Sequence, residues 1–417
     1  MVETNSLLKK AYWSLAAAGL VYVSIVISLT YPAVQRLALY ANKVNPAYWE
    51  DVNLVESFGF LKTQVQPFNL VTPDNETLYG WHLLPLHLCR EHEAELNSDK
   101  PAGPEDDYTT TPAFKLLAND PNARVVVSFH GNAAHLGSAQ RPESYRMLLG
   151  LSTPENPIHV FAIDYRGFGI STGTPTEEGL ITDGVTLLNF LTSAPYNIPP
   201  SRIVIVGQSL GTAVTAAVAE RFAFGSSDPT AIQPAIKDPE PFAGVILLAC
   251  FSNLPNLIES YSVKGITPPI LSPLKGYPRV QKWARSHILD TWDTAGRVTR
   301  LTGVNSTLEI ANPSYAEKGL DLAIIHAKND VEIPWREGRR VWAAATGERV
   351  KDAPGALSFE KRDANGGPNE VFIWENKSGK GEKAIKRVRW ERVAYGGHNR
   401  VATFSTAALA VLRAFEK

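Results

Sequence analysis

The chain has only two cysteines in 417 residues, Cys89 and Cys250, which excludes a disulfide framework and leaves room for one bridge at most. Neither cysteine has metal-ligand spacing, and His135, His287 and Glu93 are scattered, so no metal site is expected. An excess of either charge is missing too. The 41 basic and 42 acidic residues are spread along the chain, which argues against a nucleic-acid-binding face as the main function. There is no repeat at a solenoid period and no low-complexity tract. Gly167, Gly169 and Gly173 lack the Lys-Ser/Thr ending of a phosphate loop and read as surface-turn formers. His159 and Asp164 match an H-x4-D spacing, but five positions apart on a strand they point to opposite faces.

What the chain does contain begins with one long apolar run. Residues 11–31 carry no charge and are mostly Ala, Leu, Val and Ile, with Tyr12, Trp13, Tyr22 and Tyr31 mostly toward the ends. About 20 such residues, rising about 1.5 Å each, cross the roughly 30 Å of a hydrocarbon core. Residues 11–32 are therefore expected to form a transmembrane anchor behind a short tail, 1–10. A cleaved signal peptide is the competing reading, against which the run exceeds the usual apolar core and no small-x-small site follows before Pro32. Lys9 and Lys10 lie tight against the run, while Arg36 and Lys43 lie further past it, which favours a cytosolic N-terminus. Sequons at Asn75, Asn305 and Asn376 suit a lumenal domain after the anchor.

Beyond the anchor, segments 61–71 and 77–85 flank Pro73, Asp74 and Asn75 and predict an antiparallel hairpin at a sheet edge, within an N-terminal extension, 33–120. Residues 90–111 are polar, with Pro101, Gly103 and Pro104, and read as an exposed loop. Continuous apolar runs at 124–129, 158–163, 202–206, 245–249 and 322–325 then alternate with helical stretches. That texture belongs to a mainly parallel sheet covered by helices on both faces, an α/β fold. Cys250 closes one of these runs, where a free cysteine packs as a small hydrophobe. Thr174, Pro175, Thr176 and Glu177 read as a capping box opening a helix. The core thus divides into a first part, 121–250, and a second, 320–417. Between them, the proline-rich and apolar segment 251–319 reads as a cap insertion, and a polar, glycine-rich surface insertion falls at 346–383.

The chemistry centres on Gly207, Gln208, Ser209, Leu210 and Gly211. A serine between two glycines, where an apolar strand stops and a helix starts, is the pattern of a nucleophile elbow. A serine hydroxyl needs a base within reach and a group to orient that base, and in such a sheet they follow in the order Ser, acid, His. Asp330 lies on the loop after the run 322–325, and His398 follows Gly396 and Gly397 after a last strand, 386–395. Asp330 is expected to orient and His398 to act as general base. A developing oxyanion needs donors, expected from the backbone N–H of Leu210 and of Asn132 in the loop His130-Gly131-Asn132-Ala133. His130 competes for the role of base, but its place beneath that loop favours a structural hydrogen bond.

With these residues assembled, the chain resembles the α/β-hydrolase superfamily over nearly everything past the hairpin. The run Asp164-Tyr165-Arg166-Gly167-Phe168-Gly169, with Ser171 to Pro175, the elbow and His326 to Pro334, is similar to its membrane-anchored branch of lysophosphatidylserine and monoacylglycerol lipases. That resemblance implies an endoplasmic-reticulum location, a lumenal catalytic domain, no cofactor, and the same roles for Ser209, Asp330, His398, Asn132 and Leu210. Gln208 departs from the branch, which usually has histidine before the nucleophile. The expected function is a membrane-anchored serine esterase of single-chain lipids, with a lipid ester and the membrane as partners. A thioesterase that removes acyl groups from protein cysteines and a non-catalytic binding module are the alternatives. Head group, acyl length and oligomeric state are not legible.

Overall fold

The apolar runs pair side by side as expected. In the computed structural model the described residues are 2–44, 49–97, 102–259, 261, 271–304, 318–348, 362–363, 370–377 and 385–416. The strands are β1 (Val65–Val71), β2 (Thr77–Leu83), β3 (Arg124–Phe129), β4 (Ile158–Ile163), β5 (Ile203–Gln208), β6 (Gly244–Leu248), β7 (Leu320–Ala327), β8 (Arg362–Asp363), β9 (Glu370–Lys377) and β10 (Ile385–Val393). They form one sheet in the order β1-β2-β4-β3-β5-β6-β7-β10-β9-β8. The block from β4 to β10 is parallel, and the two edges are antiparallel.

Because side chains alternate along a strand, each central strand feeds two cores. Val125, Ile205, Leu247 and Ile324 pack against the helices Glu177–Thr192, Leu210–Phe224, Thr294–Thr302 and Trp335–Thr346. Val126, Val204, Ile246 and Ile325 pack against Arg141–Leu149 and Ser405–Phe415 on the other side. Burial on both faces explains why these strands read as continuous apolar runs.

Several expectations are corrected. Part of the predicted polar loop 90–111 is helical, and Tyr108 is buried, its hydroxyl 2.6 Å from His82 Nδ1 and 2.7 Å from the Tyr196 hydroxyl. Within 346–383, residues Glu370–Lys377 form β9 and bury Trp374, because the short run Val371 to Trp374 supplies an apolar face inside a polar surround. The helix at 177 is capped by Thr176, whose hydroxyl accepts from Gly179 N at 2.9 Å, and not by Thr174. Glu177 is no capping-box partner; its carboxylate accepts from Trp292 N and from Arg297. Of the three turn glycines, Gly169 and Gly173 are exposed at positive φ as expected, whereas Gly167 is buried against Pro175 and the Gly173 carbonyl. Cys89 and Cys250 are both buried and free. His159 and Asp164 do not meet, since His159 Nδ1 lies 2.9 Å from His82 Nε2 while Asp164 accepts from Leu136 N.

The helix α1 (Val2–Ser28) is long and apolar enough over Leu7–Ser28 to cross a membrane, and it is exposed almost throughout, Leu7 at 73 % and Leu20 at 70 %. Val26, near its end, is buried. A short elbow leads into α2 (Pro32–Tyr40), with proline at its first turn. Of the sequons, Asn75 is exposed in the β1–β2 turn at φ 65°, Asn376 lies in β9, and Asn305 falls outside the described residues.

The crossing of β3, β5 and the helix Leu210–Phe224 tolerates no side chain. A Cβ on Gly211 would lie 2.0 Å from the Phe129 carbonyl oxygen, and one on Gly207 would lie 2.2 Å from the Gly211 oxygen. Both obstacles are backbone and cannot rotate away. Gly211→Ala is therefore expected to destabilise the chain by about 3 kcal/mol, the upper range for overpacking. Thermal melting tests this, and a wild-type midpoint would contradict the crossing geometry.

Candidate active site

Ser209 occupies the turn between β5 and the helix Leu210–Phe224, at φ 55° and ψ −122°. Non-glycine residues there carry about 1–3 kcal/mol of strain and persist only where surrounding bonds hold them. Here Ser209 N donates to the Leu248 carbonyl at 3.0 Å, and the Thr212 N–H and hydroxyl donate to the Ser209 carbonyl at 2.9 and 2.6 Å. The turn lifts the hydroxyl to the C-terminal end of the sheet, where two other loops arrive.

One carries His398, after β10 and the positive-φ pair Gly396 and Gly397. Its Nε2 lies 2.9 Å from Ser209 Oγ, and its Nδ1 lies 2.9 Å from Asp330 Oδ2. An ionised carboxylate only accepts, so Nδ1–H donates to Asp330 and Nε2 is left to accept from Ser209 O–H. The other loop, after β7, carries Asp330. Its second oxygen accepts from Glu332 N and Ile333 N, each at 2.9 Å, and His326 Nε2 lies 3.3 Å from the first. Burial pushes the Asp330 carboxyl up, but hydrogen bonds from His326 and His398 outweigh it and hold the group well below the usual carboxylate range. Burial pushes His398 down, yet the hydrogen bond and charge of Asp330, with the charge of Glu332, leave it above the ordinary histidine value.

The expected residues Ser209, Asp330 and His398 are thus brought into one hydrogen-bonded relay, although 121 and 68 positions separate them in sequence (330 − 209 and 398 − 330). The Gln208 amide bridges the elbow to the His398 carbonyl at 3.0 Å, and Asn329 Oδ1 accepts from Gly397 N at 2.8 Å. Gln208 therefore joins the strand of the serine to the loop of the histidine. His130 is engaged elsewhere: Nδ1 donates to the Gly131 carbonyl at 2.7 Å, Nε2 lies 3.3 Å from Asp164, and burial pushes its pKa down.

Asn132 and Leu210 line the same cleft as Ser209 and His398. Leu210 is the first residue of its helix, so its N–H has no intrahelical partner, and neither it nor Asn132 N donates to another group among the described residues. The loop that holds Asn132 is shaped by Arg141. Its Nη2 donates to the carbonyls of Gly131, Asn132 and Ala133 at 3.1, 3.0 and 3.0 Å, and its Nη1 donates to the His135 carbonyl. Ala133 and Ala134 take positive φ within this clamp. Sequence reasoning missed Arg141 and His326. Arg141 has no local signature, whereas His326, four residues before Asp330 at the end of an apolar strand, could have been noticed.

The cleft holds about 200 Å³ and is mostly apolar, with Leu210, Phe251, Leu254, Leu257 and Ile258 on its walls. Fold and site together define a hydrolase of the α/β class. The chain belongs to the alpha/beta hydrolase family, whose model matches residues 125–409. Among curated relatives it is similar to the lysophosphatidylserine lipase ABHD12 of Danio rerio, 28 % identical over 213 residues, covering 51 % of this chain and 49 % of that one. The same enzyme of Rattus norvegicus is 24 % identical over 319 residues, covering 76 % and 65 %. The Homo sapiens protein ABHD12B is 41 % identical over 232 residues, covering 54 % and 52 %. The chain thus spans about half to two thirds of the length of these relatives. A solved α/β hydrolase from Vibrio vulnificus shares the fold at a TM-score of 0.53 and 15 % identity, covering 92 % of this chain and 94 % of that one.

Removing the Arg141 guanidinium leaves the carbonyls of Asn132 and Ala133 without their donor, while those of Gly131 and His135 keep His130 Nδ1 and Ser138 N. Arg141→Ala should lower stability by about 1–2 kcal/mol, because the two carbonyls that lose their donor lie on an exposed and a half-buried residue, where water offsets part of the loss. Hydrogen exchange at residues 133–135 should accelerate at least tenfold, with β5 and β6 keeping their protection. Unchanged exchange in that loop would refute the clamp.

Proposed function

We propose that the chain is a membrane-anchored serine hydrolase that cleaves carboxylic esters of single-chain lipids, a lysophospholipid or a monoacylglycerol, through an acyl-enzyme. The observation that carries this reading is the Ser209–His398–Asp330 relay opening into an apolar cleft. The lysophosphatidylserine lipases among the relatives support a lipid substrate. The exposed apolar length of α1 supports an anchor. The positions of Lys9, Lys10 and exposed Asn75 support a catalytic part on the lumenal side of an endoplasmic-reticulum membrane.

As Ser209 Oγ bonds to the ester carbonyl carbon, its proton passes to His398 Nε2, and Asp330 faces the imidazolium that forms. The N–H groups of Asn132 and Leu210 would meet the negative oxygen. Collapse of the tetrahedral species breaks the carbon–oxygen bond of the alcohol, which takes the proton from His398 and leaves the acyl group on Ser209. Water then attacks with His398 again as base, and the fatty acid and free Ser209 are released. The proton balance needs no further group.

A fluorophosphonate probe should label the wild-type chain and not Ser209→Ala, and the same variant should lose lysophosphatidylserine and monoacylglycerol hydrolysis by several orders of magnitude. Equal labelling of both forms would defeat the proposal. The pH profile gives a second check. His398 must be neutral to accept a proton, and its pKa is raised, so activity should fall as pH drops through a value above the ordinary 6.5. Glu332→Gln removes one of the charges that raise it, so the acidic limb should move to lower pH, by less than about one unit. A limb that stays in place or moves upward would show that Glu332 does not act on His398.

A further inference from the structure

The cleft beside Ser209 is not closed by the core and the cap region alone. Val26 and Leu29 at the end of α1, and Leu39 of α2, line it together with Ser209, His398 and the apolar residues of the segment after β6. Val26 is buried, although most of the described helix before it is exposed. Polar bonds on two sides fix α2 and the residues after it, which follow this end of α1. Toward the cap region, Gln35 Nε2 donates to the His287 carbonyl at 2.6 Å, Leu289 N donates to Gln35 Oε1 at 3.1 Å, and the Tyr40 hydroxyl donates to Asp290 Oδ2 at 2.9 Å. Toward the oxyanion loop, Ala133 N donates to the Tyr40 carbonyl at 2.9 Å and Ala134 N donates to the Val44 carbonyl at 3.2 Å.

We propose that the end of α1, the turn after it and α2 form one wall of the acyl-chain site, with Val26 and Leu29 setting the chain length that the cleft accepts. This rests on the lipid-ester reading above. The ester carbonyl must lie at Ser209 Oγ, and the segment before α2 is the side of the cleft that is continuous with an apolar helix. A tail of a single-chain lipid placed there keeps apolar neighbours from the serine to the helix, whereas a polar leaving group would lose its hydration against Val26 and Leu29. The anchor is thus a specificity element as well as a tether.

The test uses the full chain in mixed micelles and compares kcat/KM for a C18 monoacylglycerol with that for p-nitrophenyl butyrate. Val26→Trp and Leu29→Trp fill the cleft and should lower the ratio of long-chain to short-chain hydrolysis about tenfold or more, the scale on which an apolar pocket discriminates by size. Val26→Ala and Leu29→Ala enlarge it without crowding and should raise the ratio. Leu15→Trp, on exposed α1 away from the cleft, should keep the wild-type ratio. A ratio unchanged in both the tryptophan and the alanine variants overturns the wall. Should a tryptophan variant fail to fold, the alanine variants decide alone. A wild-type chain that cleaves the butyrate and not the C18 ester overturns the lipid reading and this inference together, whereas a wild type that cleaves both, with insensitive variants, overturns only the wall.

Discussion

The site depends on one crowded crossing, where the end of β5 passes under the start of the helix Leu210–Phe224. Ser209 takes a strained backbone there, and the strain persists because there is no room to relax: the Gly211 position abuts the Phe129 carbonyl and the Gly207 position abuts the Gly211 carbonyl. The same crowding reaches the neighbouring loop, where a Cβ on Gly131 would come within 2.8 Å of Gln208 Oε1 and 3.2 Å of Ser209 Cβ. The ends of β3 and β5 and the start of the helix are therefore held close to one another. The hydroxyl inherits its position from that contact and not from its own hydrogen bonds.

Electrostatics builds on that frame. A buried carboxylate is costly unless its oxygens are satisfied, and Asp330 has its oxygens engaged by two backbone N–H groups, His398 and His326. Those bonds keep it charged despite burial. The charge in turn raises His398, so the imidazole accepts a proton more readily beside Ser209 than it would in the same apolar surroundings alone. The N–H groups of Glu332 and Ile333 hold the Asp330 oxygen that His398 does not use, so the orientation of the carboxylate does not depend on the histidine alone. His326 Nε2, 2.9 Å from the Ile333 carbonyl, faces the same oxygen as His398 at 3.3 Å. Gln208 at the end of β5 and Asn329 in the loop after β7 supply the matching control over the His398 loop.

How much of this was legible follows from the range of the interactions. The parallel sheet was readable because burial on both faces writes a continuous apolar run into each strand, and the elbow because tight turns demand glycine at fixed offsets. Ser209, Asp330 and His398 were placed by their order after successive strands, and the structure brings them together. Arg141 was not readable: its four carbonyl partners are backbone, and backbone acceptors leave no trace in sequence. Glu177 looked like a helix cap because its neighbours are cap residues, but its partners Trp292 and Arg297 lie more than a hundred positions away. Strand β9 was hidden by composition, since four apolar residues in a polar stretch suffice for a strand near the sheet edge but do not stand out over a long window. The buried Tyr108 was lost in the same way, inside a stretch that is otherwise polar.

The N-terminal segment shows how a part that reads as an appendage becomes structural. Composition separates the apolar run from the globular part at about Pro32, yet the hydrogen bonds do not respect that boundary. Tyr40 is fully buried, packs edge-on against Phe168, bonds Asp290 through its hydroxyl and receives Ala133 N at its carbonyl. One residue thus ties the cap region to the loop that carries Asn132. Asn42 adds a bond to the Gly167 carbonyl at 2.6 Å, in the turn after β4. Ala133 and Ala134 hold strained, positive φ between Arg141, which donates to the Ala133 carbonyl, and the carbonyls of Tyr40 and Val44, which accept the two N–H groups. A displacement of α2 would release that strain, and the Asn132 N–H would lose its fixed direction. The direction of that amide and the position of the helix before it are therefore coupled through these bonds, and residues 32–44 belong with the candidate site rather than with a linker.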